Sequence, residues 1–155
     1  MQLIKAIGED ELDIPSILSN KLVGLSIARL MHGGLTCLML DFGLPKRLWL
    51  QIRPVDFDDD LDVGVLTFRW TDSRFEDEQA IEIKAVLMKG FQRFILDYED
   101  RNITTGIRIS FEGDVQDVDI LSGQNIFSLA VFGWGFAKAD QATEVCRSEY
   151  KFLPW

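Results

Sequence analysis

Apolar and polar residues alternate over short runs along most of this chain, which is the period of half-buried β-strands. Leu22 to Met31 has that texture. His32-Gly33-Gly34 follows, and its two glycines suit a tight hairpin turn, with Leu35 to Phe42 as the returning strand. Gly43-Leu44-Pro45-Lys46 reads as the next turn. Arg47 to Arg53 reads as a third strand, in which Leu48, Leu50 and Ile52 alternate with Trp49 and Gln51. Pro54 should end it, because proline has no N–H for the ladder. Further strands are expected over Val63 to Trp70, Ile81 to Val86, Phe91 to Tyr98, Gly106 to Phe111, Val115 to Leu121, Ile126 to Gly133 and Val145 to Phe152. Helix signals are few. Glu9 to Leu18 can hold a turn or two started at Ile14-Pro15-Ser16, and Phe136 to Cys146 reads as a short helix or a loop. Residues 76–88 are ambiguous: acids suit a helix start, whereas Ile81-Glu82-Ile83 favours a strand.

The fold expected is mainly β, with α+β still open. The options are a single antiparallel sheet, or a partly closed barrel or sandwich, with one or two short helices. The length of 155 residues fits a single domain over residues 1–155. Offset by 56 positions, Leu25-Ser26-Ile27 matches Ile81-Glu82-Ile83, and Leu38 to Phe42 matches Phe94 to Tyr98. Two repeated meanders would explain this, and so would shared hairpin patterning alone.

Charge adds the most. The chain has 16 basic and 25 acidic residues, a net of −9. Positions 56–119 contain 17 acids and 7 bases, and the remainder is nearly balanced. The acids cluster at Asp56 to Asp62, at Glu76-Asp77-Glu78, at Asp97 to Asp100 and at Glu112 to Asp119. Alternate turns of a meander share an end of the sheet, so some clusters should converge. A convergent acidic surface attracts a basic partner and speeds association, and acidic loops also keep a β protein soluble. The acidic balance opposes nucleic-acid binding, which needs clustered Lys and Arg. No apolar run approaches the ~20 residues of a membrane span, and no secretory leader is read, so a soluble cytoplasmic protein is expected.

Signals for chemistry are sparse. His32 is the one histidine, and no Gly-x-Ser-x-Gly elbow or phosphate loop accompanies it. Cys37 and Cys146 are too few for a zinc site and read as buried thiols. Asp56 to Gly64 offers oxygen ligands, but Leu61 and Thr67 occupy the places where a calcium loop needs Gly and Glu. Neither catalysis, nor a cofactor, nor a bound metal is expected. The partner-binding candidates are Asp58, Asp59, Asp60, Glu76, Asp77, Glu78, Asp97, Glu99 and Asp100. Trp155 is added as an aromatic anchor, since Trp is enriched at binding hot spots.

The Leu22-Val23-Gly24-x-x-Ile27 strand, the hairpin after it and the Ser148-Glu149-Tyr150-Lys151-Phe152-Leu153-Pro154 ending resemble the small, acidic, β-rich immunity proteins of bacterial toxin systems, contact-dependent growth inhibition among them. The resemblance covers the two ends of the chain and carries over no functional residue. It implies a non-catalytic cytoplasmic inhibitor that holds a basic, nuclease-like toxin by an acidic surface. A small-ligand or calcium-binding β protein is the alternative.

Overall fold

The computed structural model describes residues 2–30, 33–56, 62–98, 100–124, 127–143 and 147–155. Twelve strands are present: β1 Gln2–Ile4, β2 Lys21–Leu22, β3 Gly24–Arg29, β4 Leu35–Asp41, β5 Arg47–Asp56, β6 Asp62–Thr71, β7 Gln79–Ile81, β8 Val86–Tyr98, β9 Arg101–Phe111, β10 Val118–Ser122, β11 Leu129–Phe132 and β12 Lys151–Pro154. Among the described residues these twelve strands are joined by one α-helix, α1 (Ile14–Ser19), and three 3-10 turns. The protein is mainly β, built on one largely antiparallel sheet that does not close into a barrel.

Two runs of consecutive antiparallel strands make up most of it, β3-β4-β5-β6 and β8-β9-β10-β11. They are joined where Leu129 of β11 meets Leu35 of β4, and where β2 pairs with the start of β8. The sheet folds back on itself, so Leu38, Leu40, Leu48, Leu50 and Phe68 share one core with Ile107, Ile109, Phe111, Ile120 and Val131. Strict alternation explains this: Leu48, Leu50 and Ile52 face inward, and Trp49 between them faces outward. α1 covers part of this core with Ile17, fully buried. Its start is fixed by Asp13, whose side chain accepts from the Ser16 N–H at 3.2 Å, with Pro15 in the first turn.

The N-terminal segment straps the two halves together. β1 runs parallel to β9, pairing Gln2 with Arg101 and Ile4 with Ile103. Farther on, Ile7 bridges Thr67 of β6. Gly8 then turns at φ +80°, and a Cβ there would meet the Phe68 carbonyl oxygen at 2.3 Å, so the site takes only glycine.

Several expectations need correction. β5 continues through Pro54 to Asp56, because β4 pairs only with Leu48–Leu50 and leaves the strand around Pro54 with a single neighbour. The strand expected from Ile81 stops there, and residues 82–85 leave the ladder before β8 begins at Val86. Lys151 begins the last strand, after a 3-10 turn at Arg147–Glu149. The internal match holds only for the hairpins β4–β5 and β8–β9. In the first set β3 pairs with β4, but β7 pairs with β3 and not with β8, so the three-strand meander is not repeated.

Candidate functional site

The hairpins β5–β6 and β8–β9 are brought together by a small apolar cluster. Val55, next to Asp56, and Leu96, next to Asp97, pack with Ile4 and Ile7 against buried Val65 and Ile103. This packing brings the end of β5 near the end of β8, where Asp97 follows Leu96. Asp97 and Asp100 are exposed there, and Asp97 is ion-paired with Lys151. Asp58, Asp59, Asp60 and Glu99 lie outside the described residues.

The Glu76-Asp77-Glu78 cluster is elsewhere. It follows the other end of β6, nine residues from Asp62, which is ~30 Å along an extended strand. Glu76 and Asp77 form an exposed turn just before β7. Glu78 is not a free surface acid. Its side chain is only 10% exposed and is bound by both terminal nitrogens of Arg47, one at 2.9 Å. The Arg47 hydrogen bonds hold its carboxyl below the usual carboxylate range, against the opposing effect of burial. Arg47 also donates to the Ser73 carbonyl at 3.0 Å, and Phe75 stacks on Trp49 with ring centroids 4.6 Å apart. The segment from Ser73 to Glu78 is thus latched over the outer face of β5, and the latch holds Glu76 and Asp77 outward.

This use of arginine recurs. Arg29 binds Asp140 at 2.8 and 3.0 Å, Arg93 binds Glu9, and Arg108 binds Asp119 at 2.6 and 2.9 Å. Each carboxylate partner is buried or nearly so. Hydrogen bonds to Asp140 and Asp119 raise the Arg29 and Arg108 guanidinium values further above their ordinary one. The four pairs with Asp140, Glu78, Glu9 and Asp119 are neutral as units, so the net charge of −9 is carried by the rest of the chain. Glu112, Asp114 and Asp117, in the loop between β9 and β10, are also exposed.

Trp155 is partly buried against its own chain. Its ring lies 3.9 Å from the Arg93 guanidinium and edge-on to Phe68 at 5.5 Å, so it is half-buried packing between β6 and β8. Cys37 is buried beside Met39 and Trp49, and burial pushes its thiol up to about 12. His32 and Cys146 lie outside the described residues. Among the described residues, no group of three or more His, Cys, Asp or Glu is placed to hold a metal ion, and no helix is long and apolar enough to cross a membrane.

Three clefts flank the segment after β11, the largest, about 530 Å³, lying between Gly33, Gly34 and Ser128 on one side and Ala137, Ala139 and Ala142 on the other. A second, about 480 Å³, is polar and lined by Arg108, Gln116, Asp117, Asp119 and Gln141 among others. The third, about 220 Å³, lies between Ile27, Gln79 and Ile81 on one side and Trp134 and Phe136 on the other, with the Arg29–Asp140 pair beside it. Gly133, Trp134 and Gly135 all have positive φ, and Trp134 at +52° is the one non-glycine residue so placed among those described. Sequence reasoning missed this cleft and the exposed Glu82 beside it. The Ile-x-Ile spacing signals a strand there, but whether a strand lies at a sheet edge is set by topology. No known family model, curated protein or solved structure matches the chain.

Proposed function

We propose that this chain is a non-catalytic protein-binding module that captures a basic partner through its acidic surface. The immunity-type inhibitor of a basic, nuclease-like bacterial toxin is the form of that reading we favour, in the cytoplasm where such a toxin acts. One observation carries it. Four arginines are consumed in internal pairs with buried or nearly buried carboxylates, while Glu76, Asp77, Asp100, Glu112, Asp114 and Asp117 stay exposed. A surface so biased steers a cationic protein toward it and repels it once the charges are reversed.

The test is affinity capture from the source lysate with the native chain and with an E76K/D77K/D100K variant. The reading expects one basic protein that is released by salt and lost from the variant. Co-expression with the native chain should then relieve that protein's toxicity. A captured protein held equally by the variant, or insensitive to salt, would refute electrostatic capture.

A further inference from the structure

The strand order ends at β7, which pairs with β3 through Leu25–Ile81, Ser26–Ala80 and Ile27–Gln79. Among the described residues no strand covers its other edge. An open edge offers unpaired N–H and C=O groups and is a ready template for another chain. β7 is also flanked closely by acids: the exposed Glu76-Asp77 turn precedes it and exposed Glu82 follows, with exposed Arg74 and Lys84 farther out on either side. Ile81 packs partly on the core with Ile27, Gln79 is exposed opposite Ile27, and both line the cleft walled by Trp134 and Phe136. The cleft holds about 220 Å³, room for an inserted side chain, and adjoins a larger one of about 530 Å³ beside the Arg29–Asp140 pair.

We infer that β7 receives an extended basic segment of the partner as an added antiparallel or parallel strand. This rests on the basic-partner reading and specifies its surface. Side chains of adjacent strands at matched positions point to the same face. An apolar residue opposite Gln79 or Ile81 therefore enters the Trp134–Phe136 cleft. Its neighbours on either side point outward, toward Glu76, Asp77 and Glu82, and so are Lys or Arg. The segment recognised alternates basic and apolar residues. Backbone pairing supplies affinity, and the cleft and the acids supply selectivity. The Arg47–Glu78 pair positions the acidic turn for this contact.

The probe is a short synthetic peptide alternating Lys with Val and Phe. A control of equal charge carries prolines, which prevent ladder pairing. Amide and indole NMR shifts of the whole isotope-labelled chain are followed at low salt. The inference expects saturable shifts at Gln79–Ile81 and at the Trp134 indole with the alternating peptide and not with the control. Phe136→Ala should weaken binding by about tenfold, the effect of losing one pocketed contact. Because Phe136 also packs partly on the core, the exposed reversal E76K/E82K serves as a second variant, expected to remove most of the salt-sensitive affinity. Equal binding of the proline control, or shifts centred on residues 97–100, would overturn strand addition and leave the basic-partner reading intact. No shift with either peptide would also overturn the inference, and the basic-partner reading is decided separately by the lysate capture.

Discussion

Glu9 and Arg93, 84 positions apart, meet in a buried two-point ion pair that fastens the N-terminal strap to β8. Glu9 also accepts the Ala6 N–H at 3.0 Å, and Arg93 reaches the Thr104 hydroxyl at 3.4 Å. Removing one partner strands the other charge in a low-dielectric site, which typically costs ~3–5 kcal/mol. Glu9→Ala should therefore lower unfolding stability in urea by about that amount, and Glu9→Gln by less. Replacing both residues, as E9L/R93M, should recover much of the loss, because no charge is left uncompensated. A single mutant as stable as the native chain would mean that the strap is not held by this pair.

Trp155 bears on the same pair from the other side. It covers the Arg93 guanidinium and packs on Phe68 and Phe91. Trp155→Ala should cost about 2–3 kcal/mol, somewhat less than a fully buried aromatic would, and Trp155→Phe should restore part of it. Neither change should alter capture of a basic partner. A large loss of binding with full stability would return Trp155 to the role of surface anchor that the sequence suggested.

The difference between those two roles shows what the sequence could and could not reveal. Hairpins were legible because alternation is local: Leu48, Leu50 and Ile52 show their buried face without knowledge of any other strand. The break after Ile81 was not, since Ile81 and Ile83 both pack against the core while only Ile81 stays in the ladder. The acidic clusters were legible as composition. That Glu78 turns inward to Arg47 depends on a contact 31 positions away, and Arg29 meets Asp140 over 111. Nothing in local patterning tells a paired carboxylate from a free one, so the pairing of charges had to be read from the fold.

The latch at Glu78 makes stability depend on pH. Hydrogen bonding from Arg47 lowers its carboxyl from the ordinary 4.5. A carboxyl depressed in the folded state contributes stability that is fully present above its unfolded value and is lost as pH falls through its folded value. The melting temperature should thus hold near neutrality and fall as pH drops below about 4.5. Glu78→Gln should be less stable than the native chain at pH 7 and show a shallower decline on acidification. Parallel curves for the two proteins would assign the acid sensitivity to other carboxylates.

Cys37 gives the last test, of packing against chemistry. Its thiol lies among Ala28, Met39 and Trp49, and burial raises it to about 12 although Arg69 and Arg47 favour the thiolate. At pH 8 such a thiol is ionised in only about one molecule in 10⁴, and the thiolate is the reactive form. Iodoacetamide at pH 8 should leave Cys37 unmodified in the folded protein and modify it fully in urea, read by mass spectrometry of the Cys37 peptide. Cys37→Ala should cost ~1–2 kcal/mol by loss of packing and leave partner capture unchanged. Rapid modification without unfolding would place the thiol in an open, electropositive site and would revive a nucleophilic role for Cys37. Slow modification that tracks the unfolding rate would fix it as a core residue beneath the latched segment that ends in Glu78.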